Sequence, residues 1–146
     1  MLKKTFLLVL LIVCCNLANA AITAQQAYVR EMPPGQPVTA AFMQLHNDGA
    51  EPVLLLGATS DSSEGVEIHA HRHNAGMMSM EKVNSVSLPA GADFVFKPGG
   101  YHLMLINLTR PLKEGDSVRL QLQFDHADAV TIDVPVKNIM REHEHH

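Results

Sequence analysis

Cysteine is nearly missing from this 146-residue chain, and the two present, Cys14 and Cys15, both fall within the first twenty residues. Those residues carry the marks of an export signal. Lys3 and Lys4 form a positive start, Phe6 to Cys15 an apolar run, and Ala18-Asn19-Ala20 a small-x-small cleavage site. Cleavage after Ala20 leaves no thiol in the mature chain. That excludes blue-copper electron transfer, thiol–disulfide exchange and cysteine catalysis, each of which needs a thiolate. A long hydrophobic run is lacking too. The apolar stretch is shorter than the roughly 20 residues that cross a bilayer, which argues against a retained membrane anchor. Lipid attachment at Cys14 or Cys15 stands as the alternative, although Val13 fills the position before Cys14 where a small residue is usual.

Positive charge is scarce. The chain holds eleven Lys and Arg against fifteen Asp and Glu, and the leader takes two of the former, so the mature chain is at −6 with neutral His. With no basic patch, nucleic acid and anionic lipid are poor partners. Helical periodicity, internal repeats and interior linkers are absent as well. One domain over residues 21–138 is expected, followed by a flexible His-rich tail at 139–146.

What the sequence does contain is a succession of short β-type runs divided by turn residues. They are Gln26–Arg30, Val38–His46, Pro52–Ser60, Val66–His71, Met78–Val83, Ser85–Leu88, Ala92–Lys97, Tyr101–Leu108, Ser117–Phe124 and Ala129–Val136. A loop is expected over Arg72–Gly76, between the fourth and fifth runs. Val118, Leu120, Leu122 and Phe124 alternate onto one face, as do Val130, Ile132, Val134 and Val136. This spacing argues for an all-β, antiparallel β-sandwich.

Nine His and seven Met remain after the leader. His69, His71 and His73 alternate from the end of one strand into the following loop. Met78 and Met80 open the next strand, and His102 and Met104 lie two apart in a third. Side chains two apart on a strand share a face, so each pair can address one point while Leu103 and Leu105 pack on the opposite face. Thioether sulfur is soft and uncharged and favours copper(I) over zinc, iron, calcium or magnesium, and imidazole suits copper as well. A cysteine-free His and Met set holds copper where thiols would be oxidised, and releases it again. Met32 and Met43, taken singly, read as core filler. His46 and His126 read as surface groups beside turns.

The spacing His69-x10-Met80-x21-His102-x-Met104 resembles the H-x10-M-x21-H-x-M signature of the periplasmic copper chaperones of the PCu(A)C type, without gap or substitution. The surrounding segments are similar to that family too: Val66-Glu67-Ile68-His69, Leu88-Pro89-Ala90-Gly91, Lys97 to Leu105 and Pro111 to Asp116. The likeness runs over residues 26–136.

The resemblance implies a cupredoxin-like sandwich of Greek-key type that binds one copper(I) near its surface through His69, Met80, His102 and Met104. It implies a periplasmic chaperone; the neutral ligand set suits carriage rather than catalysis, so a monomer that is not an enzyme is expected. Copper would pass by ligand exchange to a copper-accepting protein, either subunit II of cytochrome c oxidase or a thioredoxin-like assembly factor. One departure stands out. Many members carry Met soon after the first His, whereas here Ala70, His71, Arg72 and His73 fill that stretch. His71 is an alternative ligand or a partner that orients one, and Met78 an alternative sulfur donor. The tail residues His143, His145 and His146 are candidates to capture copper(II), against the plainer reading of a solvated tail or purification remnant. A copper-sequestering resistance protein with no dedicated acceptor is the main rival, ahead of a structural sandwich and a copper enzyme.

Overall fold

The computed structural model describes residues 21–142; the leader with Cys14 and Cys15, and the tail histidines His143, His145 and His146, lie outside them. Ten strands follow one another: β1 Ile22–Arg30, β2 Val38–Asn47, β3 Val53–Ser60, β4 Ser63–Asn74, β5 Met77–Val83, β6 Val86–Leu88, β7 Asp93–Phe96, β8 Tyr101–Leu108, β9 Ser117–Phe124 and β10 Val130–Lys137. A helical turn, α1, occupies Ile139–Glu142.

The strands pair in the order β5-β4-β8-β2-β1-β10-β9-β3-β6, and β3 also pairs with β4 through Ala58 and Val66. That last pairing closes seven strands into a ring, a barrel-like sandwich, with β5 and β6 as flaps and β7 laid along β2. Every pairing is antiparallel except β1 with β10, where Val29 and Arg30 run parallel to Val136 and Lys137. The all-β expectation holds.

Burial follows the alternation of the strands. In β9, Val118, Leu120 and Leu122 are fully enclosed while Ser117, Arg119, Gln121 and Gln123 face water. On β8, Leu103 and Leu105 are also fully enclosed, meeting Leu45, Leu55, Val29 and Val134 in one continuous core. Each such Leu contributes on the order of 2 kcal/mol by leaving water.

The stretch Arg72–Gly76 differs from expectation. β4 runs on through His73 to Asn74, which pairs with Met77, so the turn shrinks to Ala75 and Gly76. Both turn residues have positive φ, 49° and 79°. This is the two-residue geometry whose twist matches that of the flanking strands. β1 also begins earlier than expected, at Ile22, and crosses an irregularity between Gln25 and Tyr28 where Gln26 takes φ 53°.

Candidate metal centre

Directly opposed residues of an antiparallel pair share a face. On β4, Ile68 and Ala70 point into the core, so Glu67, His69, His71 and His73 point outward. β8 sets Met104 opposite Glu67 and His102 opposite His69. β5 sets Met80 opposite His71 and Met78 opposite His73. β2 completes the face, with Ala40 opposite Met104 and Phe42 beside His102. Three strands thus bring His69, His71, Met78, Met80, His102 and Met104 onto one outward surface.

His102 is the pivot. It is only 4% exposed, although it lies on the outward side of the sheet. Rings on three sides enclose it: His69 stacks at 5.9 Å between centroids, His71 stands at 5.3 Å and Phe42 at 6.4 Å. Its Nδ1–H donates to the Gly100 carbonyl at 3.3 Å, which leaves the Nε2 lone pair unused. Burial is the main force holding its pKa below the ordinary 6.5, partly opposed by the Gly100 bond, and the nearby His71, His69 and Arg30 add to the depression. The ring is therefore neutral at neutral pH, the form that ligates a metal.

His69 is prepared in a matching way. Its Nε2–H donates to Glu67 Oε2 at 2.8 Å, and Lys82 Nζ donates to the other oxygen of the same carboxylate at 2.8 Å. A histidine that gives one N–H to a carboxylate presents the lone pair of its other nitrogen. That nitrogen, Nδ1, is buried and has no hydrogen-bond partner. A buried polar atom without a partner is costly, and a metal would satisfy it.

Beside these rings lies a cleft of about 320 Å³, lined among others by His71, Met80, His102, Met104, Arg30 and Met32. Two of the lining residues carried no signal in the sequence. Met32 was expected to fill the core and instead faces this cleft from the loop after β1, whereas Met43 does sit in the core at 2% exposure. Arg30 packs its guanidinium over Phe42, 5.3 Å from the ring centroid. Both lie some seventy residues from His102 in sequence, so no local spacing could announce them. His69 flanks the cleft without lining it, and Met78 lies a rung further out, 61% exposed. His46 pairs with Asp93, and His126 sits beside Asp125 at the surface.

Among the described residues, no three His, Cys, Asp or Glu side chains converge to hold a metal ion by themselves. The sulfurs of Met80 and Met104 beside the imidazoles are donors that favour a soft ion.

Residues 22–136 match the model of the LpqE-like family, which is named for a lipoprotein. Lxx21020 of Leifsonia xyli, also named as a lipoprotein, is 31% identical over 113 residues, covering 77% of this chain and 68% of its own length. RP573 of Rickettsia prowazekii is 32% identical over 101 residues, and the match spans only 56% of that protein. Among solved structures, copper(I)-bound DR1885 of Deinococcus radiodurans superposes with a TM-score of 0.68 at 31% identity, over 84% of this chain and 83% of that one. The copper-bound PCuAC domain of PmoF2 superposes with a TM-score of 0.67 over 80% and 92% of the two chains, and its 24% identity speaks for the fold alone. With its outward His and Met face and its closed β-sandwich, the chain belongs to the LpqE-like family and is of the PCu(A)C type.

Proposed function

We propose that this protein is a copper(I) chaperone of the bacterial cell envelope. It binds one copper(I) through His69, Met80, His102 and Met104, and hands the ion on by ligand exchange. The observation that carries this reading is the pairing of two unused imidazole lone pairs, on His69 and His102, with the thioethers of Met80 and Met104 on one sheet face. Copper is cargo here, so the chain's task is to hold and release it. Neutral donors bind without adding charge, and Met80 is 46% exposed, which leaves the ion open to an arriving ligand. In this reading the protein is a carrier and not an enzyme.

The acceptor in this proposal is subunit II of cytochrome c oxidase or a thioredoxin-like assembly factor, whose Cys or His would displace the donors one at a time. The periplasm is the proposed compartment, and either export route, cleavage after Ala20 or lipid attachment at Cys14 or Cys15, would deliver the protein there. The tail histidines would add a separate copper(II) capture point.

The test is an anaerobic copper(I) titration against a chromophoric chelator. One equivalent should bind tightly, and Met104→Leu and His102→Ala should each lower affinity more than about tenfold, or roughly 1.4 kcal/mol. Parental affinity in both variants would sink the assignment. Transfer to a copper-free oxidase fragment then separates a chaperone from a protein that only sequesters copper.

A further inference from the structure

Beyond the cleft, the outward face of the β4–β5 hairpin carries another pair of the same chemistry. His73 lies directly opposite Met78, one rung further out than His71 and Met80. Rungs on one face of a ladder are about 7 Å apart. Directly opposed β-carbons stand about 5 Å apart, within reach of one ion held between an imidazole and a thioether. His73 makes no hydrogen bond or ion pair among the described residues, so its nitrogens are available. Met78 is 61% exposed, an unusual position for a side chain that ordinarily fills cores.

We propose that His73 and Met78 form a second, outer site for a soft monovalent cation, copper(I) or silver(I), at the tip of this hairpin. Such ions accept two donors in near-linear coordination, so a pair suffices where a harder ion would need more. With only two ligands in full contact with water, the outer site is the weaker of the two. His73–Met78 and the cleft that His71 and Met80 line then form successive stations along one face, which gives an incoming ion a first contact outside the buried His102. The role as an entry station rests on the cleft being a copper site; the existence of the outer site does not.

Silver(I), which is not oxidised during the experiment, serves as the probe on the full chain with His143, His145 and His146 replaced by Ala to remove the tail. Titration followed by methionine methyl NMR should show two silver ions per chain, with the Met78 signal moving only as the second is added. His73→Ala and Met78→Leu should each abolish the second equivalent and leave the first intact. Both side chains are solvent-facing, so neither change threatens the core. A single equivalent in the starting protein, or a second that survives both substitutions, overturns the outer site. Loss of the first equivalent in Met104→Leu with the second retained supports it independently of the cleft. If neither ion binds, both readings fall.

Discussion

Glu67 has two clients, and their order matters. The Lys82 hydrogen bond is the larger cause of its lowered pKa, with the His69 bond next, so the carboxylate remains ionised well below neutral pH. An ionised Glu67 keeps the proton on His69 Nε2 and the lone pair on Nδ1. Glu67→Gln is expected to leave the fold intact and weaken copper(I) binding about 10-fold or more, the usual cost of losing a partner that orients a metal ligand. Unchanged affinity would mean that His69 needs no such support. His102 offers a second test at this scale. Its pKa is depressed in the folded protein, so the unfolded chain binds more protons between the depressed value and 6.5. Stability of the metal-free protein should therefore rise with pH through that window, reach its full value above 6.5 and fall away on acidification. Thermal unfolding in a pH series checks this, and a His102→Gln variant should show a flatter profile. Residue types at the cleft were readable in advance because His102, Met104, Met80 and His69 sit in a fixed spacing. Arg30 and Met32 were not, because only tertiary packing brings them to it.

At the scale of the element, the β4–β5 hairpin is the piece that sequence alone described least well. β9 announces itself by strict alternation, and its observed bounds, Ser117–Phe124, are those expected. The end of β4 has no such alternation: Arg72, His73 and Asn74 are all polar and exposed, so nothing apolar marks them as strand. What extends the strand is pairing with β5 and a turn that Gly76 makes easy and Ala75 makes strained. An alanine in the left-handed region costs about 1 kcal/mol. Asn tolerates that region and, followed by Gly, is the preferred pair for this turn. Ala75→Asn should therefore slow amide exchange at Asn74 and Met77 while hardly changing global unfolding, since the hairpin tip lies away from the core. Equal exchange in both proteins would show that the turn does not limit opening of the hairpin. The parallel contact of β1 with β10 was equally invisible, because it joins the first and last strands of the chain and leaves no local pattern.

For the whole molecule, the ring of seven strands has an energetic consequence. His69 and Met104 lie thirty-five positions apart and meet only when β4, β5 and β8 are assembled. The unfolded chain holds no such arrangement, so copper(I) should bind the folded state alone and stabilise it by mass action. At free copper(I) about 100-fold above Kd, this amounts to about 2.7 kcal/mol. A rise in Tm of several degrees under anaerobic conditions is expected, and Met104→Leu should remove most of it. A protein whose Tm ignores copper(I) would contradict the placement of the ion on this face.

The exposure of the hairpin sulfurs has a redox consequence. Met77, Met78 and Met80 stand 75%, 61% and 46% exposed, while Met43 is sealed at 2%. Peroxide attacks accessible thioethers first and converts each soft sulfur into a sulfoxide, which presents a hard oxygen. Met78 and Met80, which the proposed copper(I) face depends on, would therefore be spoiled by an oxidant long before the core is touched. Damage would silence the proposed carriage of copper(I) while leaving the protein folded, and reduction of the sulfoxide would restore it without new synthesis.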